Sequence, residues 1–252
     1  MAIIRYTATK LRAVQKKGIL KPDEDGYYPL VIGGLNVVNS AGEYYVLEGA
    51  KELFDSSSVL MRRIKNGNLK GELGHPKREP GMTEDSYFSR IMRVEETNVC
   101  SHFKEVWLDD KYGINHPEFN NPAMVAIMAL VKPSGPKGEF LKQSLENKAE
   151  NVCFSIRALT ENYLIRGVTH RVLRSILTWD NVTEPGISIA NKWDNPSLET
   201  IESTFVTKND IERICNLPQS LAMETGDSFI KEALTLFDTQ KNTRQTPKYS
   251  QW

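Results

Sequence analysis

The sequence predicts an α+β fold in which an antiparallel β-sheet or barrel forms the core and helices surround it. Between residues 28 and 182, segments rich in β-branched and aromatic residues follow one another, and several alternate apolar with polar side chains. Segments with helical spacing lie before, between and after them. About six or seven strands in the middle of a chain, with helices at its edges and end, are typical of this fold class.

The first part of the chain predicts helices on either side of a pair of strands. Residues 7–17 have helical spacing and predict a short surface helix. Residues 28–38 and 44–46 predict two strands joined by a polar turn, and the pair Gly33-Gly34 predicts a bulge or bend in the first of them. Two further helices are predicted at residues 50–54 and 57–64, the second opening on serines that can cap it.

The middle of the chain predicts a series of strands. Residues 69–76 form a short extended segment that ends at His75, because Pro76 disfavours a helical backbone at the residue before it. A polar loop to about residue 86 precedes three predicted antiparallel strands at 87–94, 99–108 and 124–131, and a helix follows at 139–150.

Two further β segments and three helices complete the prediction. A strand is expected at residues 151–158, and the long segment 163–182 is rich in β formers. Residues 198–205, 209–215 and 228–237 predict short helices, and the polar residues 239–252 predict a mobile tail.

Composition restricts the class of function. The 32 basic and 32 acidic residues cancel, so no overall field favours nucleic acid or a membrane surface. The three cysteines form no Cys-x-x-Cys pair and predict reduced thiols. No apolar run approaches the roughly 18 residues of a membrane span, and the apolar N-terminus is too short for a signal peptide. We expect a soluble, unexported protein.

The strand at residues 151–158 holds the first candidate catalytic residue. Its alternation places Phe154 and Ile156 on one face and Cys153, Ser155 and Arg157 on the other. The strand therefore presents the Ser155 hydroxyl from a rigid element whose opposite face lies in the core. Serine is also an ordinary strand residue, so a purely structural role is the alternative.

A serine nucleophile needs a general base and an acceptor that orients that base. Of the four histidines, His75 ends an extended segment beside Gly74, where a substrate backbone has room to approach. Asp180 lies late in the segment 163–182 and is a candidate orienting group. The other histidines are predicted to be structural or surface residues: His102, His116 and His170.

Two rival chemistries have less support. Neither His-x-x-x-His nor Cys-x-x-Cys nor a dense Asp-x-Asp loop occurs, so no dedicated metal site is predicted, and no cofactor motif is found. Cys153 shares the strand face of Ser155, but a buried thiol is usually inert.

The segments 69–76, ending in Gly74-His75-Pro76, and 152–157, containing Ser155, resemble the His and Ser motifs of the prohead proteases of tailed phages. Those enzymes are distantly similar to herpesvirus assemblin, in which a third catalytic residue follows on a later strand. Asp180 has the order and spacing for that place, and Glu184 is a fallback. The resemblance spans about residues 28–190.

The resemblance implies a closed antiparallel β-barrel ringed by helices, with a protease domain at residues 1–205 and a C-terminal helical segment and polar tail at 206–252. It implies a serine endopeptidase with a triad of His75, Ser155 and Asp180, which acts inside the assembling prohead in the host bacterial cytoplasm. Scaffold and capsid proteins would be its substrates, and self-association is expected. No cofactor, metal, nucleic acid or membrane is implied.

The resemblance also implies a preference for cleavage after Glu. Residues 222–224, Ala-Met-Glu, lie in a predicted loop before the last helix, and we hypothesise self-trimming there. Two non-enzymatic alternatives are a catalytically silent component of the phage head that keeps the protease fold, and a general β-rich binding module. A contact between the Ser155 hydroxyl and a His75 ring nitrogen would favour the enzyme.

Overall fold

A computed structural model describes residues 3–12, 22–39, 41–147, 150–183, 187 and 203–207. Strands predominate in these ranges, and the helices are short. The strands are β1 (Ile3–Arg12), β2 (Tyr28–Leu35), β3 (Val37–Val38), β4 (Tyr44–Val46), β5 (Lys70–Glu72), β6 (Val99–Asp109), β7 (Val125–Pro133), β8 (Cys153–Ile165), β9 (Val168–Val182) and β10 (Ser203–Thr207). The α-helices are α1 (Val59–Lys65), α2 (Glu84–Ile91), α3 (Tyr112–Asn115) and α4 (Gly138–Glu146), and 3-10 helices lie at Lys51–Phe54, Glu96–Asn98 and Pro117–Phe119.

The described strands form two open sheets, so the expected closed barrel is wrong. One sheet has the order β10-β1-β8-β9-β4-β3 and the other β2-β7-β6-β5. All pairs are antiparallel except β4 with β9. A barrel needs ladder pairing around its whole circumference. Here β5 has three residues, and its continuation meets β9 through one isolated bridge, Leu73 with Asn181, which joins the two sheets without closing them.

Most of the predicted strands of the middle region are confirmed. Strands β2, β6 and β7 occupy the segments that were predicted from alternation and β-former content. The pairing of β2 with β7 shifts between Val31 and Gly33, so the bulge predicted at the glycine pair is present. The helix predicted at 57–64 is also confirmed as α1, because the Ser58 Oγ accepts a hydrogen bond from the Met61 N–H.

Three predicted elements are wrong. Residues 7–12 of the helix predicted at 7–17 belong to strand β1, and residues 13–17 lie outside the described residues. The backbone of β1 pairs with β8 on one side and β10 on the other, and this tertiary pairing overrides the weak helical spacing. The strand predicted at 87–94 is helix α2. Thr83 is its N-cap, and acidic residues occupy its first turn. Residues 203–207 form β10 rather than part of a helix. The helices predicted at 209–215 and 228–237, and the tail, lie outside the described residues.

The hydrophobic core lies between the two sheets. Phe103 of β6 packs against Phe154 of β8 and Trp179 of β9, with ring centroids 6.0 and 5.9 Å apart. All three side chains are fully buried. Phe154 and Ile156 face this core, as the alternation of β8 predicted, and the opposite face of β8 is left for polar groups.

Gly71 of β5 permits a close approach between the two sheets. A Cβ at this position would lie 2.1 Å from the Trp179 carbonyl oxygen and 2.6 Å from the Ser101 Oγ. The Thr178 hydroxyl donates a hydrogen bond of 2.5 Å to the Lys70 carbonyl oxygen beside it. The backbone of β5 therefore lies directly on β9, and the residues that follow β5 are brought to the end of β9.

We predict that Gly71→Ala destabilises the protein by about 2 to 3 kcal/mol, because the added methyl group overlaps a backbone carbonyl that cannot rotate away. Urea unfolding gives the free energy. The matched control is Gly138→Ala at the start of α4, where the nearest atom lies 3.3 Å from the added Cβ; its expected effect is below about 1 kcal/mol. Equal stabilities for wild type and Gly71→Ala would contradict the close approach.

Candidate active site

Two neighbouring strands and the segment after β5 bring Ser155, Asp180 and His75 together. Ser155 of β8 and Asp180 of β9 are direct cross-strand partners, so both side chains lie on the same face of the sheet. His75 follows β5, and the Gly74 N–H donates a hydrogen bond of 2.6 Å to the Asn181 carbonyl oxygen. This bond fixes the backbone beside His75 to the end of β9.

The imidazole of His75 bridges the other two side chains. Its Nδ1 lies 2.9 Å from Asp180 Oδ2, and its Nε2 is hydrogen-bonded to Ser155 Oγ. An ionised carboxylate is only an acceptor, so Nδ1 carries the proton and donates a hydrogen bond to Asp180. Nε2 of the neutral ring then accepts the hydrogen bond of the Ser155 hydroxyl. This is the arrangement in which an imidazole can remove a proton from a hydroxyl.

The three side chains are shielded from water. Ser155 and Asp180 are fully buried, and the His75 side chain is 10% exposed. Hydrogen bonds and charges act more strongly in such surroundings than in water. The burial of Ser155 also means that neighbouring groups must move before a peptide carbonyl can reach its Oγ.

Arg157 holds Asp180 through both of its carboxylate oxygens. Its Nε donates to Asp180 Oδ2 over 2.9 Å, and its Nη2 donates to Oδ1 over 2.6 Å. Burial by itself would raise the pKa of Asp180, but the Arg157 charge and the His75 hydrogen bond outweigh it and lower that pKa to about 2. The Glu72 N–H is a second donor at Oδ1, 3.2 Å away. Asp180 is therefore a carboxylate at neutral pH.

Glu72 is a second buried carboxylate of this site. Burial would raise its pKa, but the charge of Arg157 and the hydrogen bonds of Arg90 overcome that effect and lower the pKa. Its oxygens also accept hydrogen bonds from the Glu95 N–H at 2.9 Å and the Asn98 side-chain amide at 3.1 Å. Glu72 therefore joins β5 to the end of α2 and to the turn that precedes β6.

The other candidates lie elsewhere or are unsuited to catalysis. The Cys153 Sγ lies 3.8 Å from the Thr183 carbonyl oxygen in a buried position, and burial raises the pKa of Cys100 to about 12. Both thiols are therefore structural. Glu184 lies outside the described residues. The remaining histidines contact other groups: His102 binds Tyr27, His116 lies beside Glu118, and His170 packs against Tyr44.

The described part of the chain contains no group of three or more His, Cys, Asp or Glu side chains arranged to hold a metal ion. None of the helices in these ranges is both long enough and apolar enough to cross a membrane.

Sequence reasoning missed the roles of Glu72, Arg90 and Arg157. The sequence does contain a signal for Arg157, a charge on the Ser155 face of a strand that is otherwise apolar or small. A guanidinium so placed needs a buried anion, and Asp180 and Glu72 are those anions. The contribution of Arg90 depends on α2, which was predicted as a strand.

Comparison with known proteins gives three results. The family model of the Peptidase S80 family matches residues 6–243. A capsid maturation protease of Pseudomonas phage phiKZ is 38% identical over 200 residues, which cover 78% of this chain and 72% of that protein. The match to the solved structure of the bacteriophage T4 capsid assembly protease, gp21, covers 73% of this chain and 96% of that chain, with 12% identity and a TM-score of 0.38.

The lowered pKa of Asp180 predicts a dependence of stability on pH. Because the pKa falls from 3.8 to about 2 on folding, the carboxylate stabilises the fold above its ordinary pKa, and this contribution is lost as the pH falls toward 2. Between pH 6 and pH 3 the loss from this one group is about 1 kcal/mol. Urea unfolding at the two pH values gives the free energy of unfolding. In Asp180→Asn this free energy should fall between pH 6 and pH 3 by about 1 kcal/mol less than in the wild type.

Asp55→Asn is the control, because Asp55 is exposed. Its free energy of unfolding should fall between pH 6 and pH 3 as much as that of the wild type. An Asp180→Asn variant whose stability falls with pH as steeply as that of the wild type would show that Asp180 is not held as a carboxylate.

Proposed function

The chain belongs to the Peptidase S80 family, and we propose that it is a serine endopeptidase of phage head maturation whose triad is Ser155, His75 and Asp180. The observation that carries the proposal is the continuous chain of hydrogen bonds from Ser155 Oγ through both ring nitrogens of His75 to Asp180. The three side chains come from separate segments, and such a convergence of hydroxyl, imidazole and buried carboxylate is the recognised geometry of a serine nucleophile.

Ser155 and His75 perform the bond changes. Ser155 Oγ attacks the carbonyl carbon of the peptide bond while Nε2 of His75 takes the hydroxyl proton. The tetrahedral intermediate collapses as the same proton passes from Nε2 to the departing amine, which leaves an ester on Ser155. Water then attacks the ester, again with His75 as the base, and releases the new carboxyl terminus and the free serine.

Asp180 supports the imidazole in two ways. Its Oδ2 accepts a hydrogen bond from the Nδ1–H, which keeps Nε2 free to act as the base. Its negative charge stabilises the imidazolium that forms when the proton arrives. Burial of the carboxylate strengthens both effects, because no water competes for it.

The substrates are proposed to be scaffold and capsid proteins of the phage, cut within the assembling prohead in the host. The similarity to a capsid maturation protease supports this assignment. Cleavage after Glu and self-association are further parts of the proposal, and they rest on the resemblance to prohead proteases. The division into a protease domain at 1–205 and a C-terminal segment at 206–252 also stays a prediction.

Removal of the nucleophile or the base should abolish cleavage. Ser155→Ala and His75→Ala are expected to lower kcat/KM for a head protein by about four to six orders of magnitude, and Asp180→Ala by less, because triad members act as a unit. Purified head protein and gel densitometry, or a fluorogenic peptide, give the rate.

Matched controls come from β6. Ser101 is another fully buried strand serine, and His102 is a histidine bonded only to Tyr27 and the Gly67 carbonyl among the described contacts. Ser101→Ala and His102→Ala should keep wild-type rates within a few fold. A Ser155→Ala variant with undiminished turnover, or a wild-type protein that cuts no head protein, would refute the proposal.

Self-trimming after Glu224 is the second prediction of this function. The site, residues 222–224, lies outside the described residues and was chosen from its sequence. Intact-mass measurement should find a product that ends at Glu224 in the wild type and none in Ser155→Ala. Glu224→Gln should block the product while keeping activity on a separate peptide. Wild-type protein that cleaves substrate but yields no such product would remove this part of the proposal.

A further inference from the structure

We propose that Arg157 is a positioning residue that fixes the Asp180 carboxylate against Nδ1 of His75. Glu72 offsets the positive charge of Arg157, so that Asp180 still stabilises the imidazolium. The inference rests on the proposed function, because it describes how the triad is held. Arg157 and the Glu72 N–H both donate hydrogen bonds to Asp180, the residue that orients His75, and the Glu72 carboxylate binds Arg157. Both residues therefore act on the imidazole through Asp180 and through their charges.

The guanidinium of Arg157 spans both oxygens of Asp180. Nε lies 2.9 Å from Oδ2 and Nη2 lies 2.6 Å from Oδ1, which is the side-on form of the two-point contact between a guanidinium and a carboxylate. Two parallel bonds fix the plane of the carboxylate as well as its position. The orientation of Oδ2 toward Nδ1 of His75 is thereby set by Arg157 and not by the rotamer preference of Asp180 alone.

Arg157 is itself held in place. Its Nη2 also donates to Glu72 Oε1 over 2.9 Å, and its Nη1 donates to the Arg93 carbonyl oxygen over 2.7 Å. The side chain is 1% exposed. All three nitrogens of the guanidinium donate to Asp180, to Glu72 or to the Arg93 carbonyl oxygen, and these bonds fix its position beside Asp180.

The positive charge of Arg157 has one favourable and one unfavourable effect on the triad, and Glu72 offsets the unfavourable one. A cation beside Asp180 favours the carboxylate but disfavours the imidazolium that His75 must form. The Glu72 carboxylate lies 2.9 Å from the same guanidinium and offsets that positive charge. Arg90, 16% exposed, in turn pairs with Glu72. Among the described side chains, the charged or titratable groups around Ser155 and His75 are Asp180, Arg157, Glu72 and Arg90, together with the thiol of Cys100. Burial, with a contribution from Asp180 and Glu72, raises the pKa of that thiol to about 12, so it is neutral.

The cluster also ties the segment after His75 back to the triad. The chain leaves His75, forms α2, and returns at residues 90–98, where Arg90, the Glu95 N–H and the Asn98 amide all donate to Glu72. The Asn98 amide further donates to the Leu73 carbonyl oxygen over 3.0 Å. The far end of the segment that begins at His75 is therefore anchored to the Glu72 carboxylate, three residues before His75 in the chain.

The test compares a variant that removes a negative charge near His75 with a variant that removes a positive charge. Glu72→Gln removes a negative charge that favours the imidazolium, so the acid limb of the kcat/KM profile should move to lower pH by about 0.5 to 1 unit. Arg157→Gln removes a positive charge and should move the limb to higher pH, with at least a tenfold fall in kcat. Arg157→Lys should keep the limb near wild type but lower kcat, because an ammonium group cannot make the two-point contact.

A second measurement does not depend on turnover. The NMR titration of the His75 ring in a Ser155→Ala background should show the same two shifts, with the signal assigned by its loss in His75→Gln. Glu43→Gln is the matched control, because Glu43 is also buried and paired with an arginine, Arg171, on β9. It should lower the melting temperature and leave the His75 titration unchanged.

The outcomes separate this inference from the proposed function. If Ser155→Ala is inactive but Glu72→Gln leaves both the titration and the limb unchanged, the inference is wrong while the triad stands. If Ser155→Ala keeps its activity, the proposed function fails whatever the titration shows, and the inference fails with it. Glu72→Gln is nearly isosteric, so it carries the test alone if Arg157→Gln does not fold.

Discussion

The whole site depends on one buried carboxylate. Asp180 is fully buried, and isolated in that position it would become protonated, because burial disfavours its charge. Arg157, His75 and the Glu72 N–H together keep it ionised. The same carboxylate orients the imidazole toward Ser155. The two-sheet fold is the means of bringing these groups together, since β8 and β9 provide one side of the cluster and β5 provides the other.

Much of this arrangement could be predicted from the sequence. Alternation in β8 correctly separated its core-facing side chains from Ser155 and Arg157. The resemblance to phage prohead proteases, drawn from the motifs around His75 and Ser155, is confirmed by the family match. Asp180 was selected from order and spacing, and it lies directly opposite Ser155 in the β8–β9 ladder. Alternation is a property of the local sequence, so it predicts which side chains share a strand face without knowledge of the overall fold.

What could not be predicted depends on contacts between distant segments. The closed barrel was inferred from the assemblin resemblance, but the motifs require only that β5, β8 and β9 meet, which two open sheets also achieve. The strand β1 is stabilised by partners on both sides, and no local spacing reveals them. Helix α2 was predicted as a strand from its apolar residues, whereas the residue that indicates a helix is Thr83, which caps it. Without α2, the link from Arg90 to Glu72 could not be seen.

The central claim is that His75 activates Ser155 as a nucleophile. It is tested most directly by labelling the protein with a fluorophosphonate, which reacts with activated serine hydroxyls and leaves a covalent phosphonyl ester that peptide mass spectrometry can locate. The account predicts a single modified residue, Ser155, and loss of labelling in His75→Ala. Labelling of another serine, or equal labelling of Ser155 with and without the His75 imidazole, would contradict it.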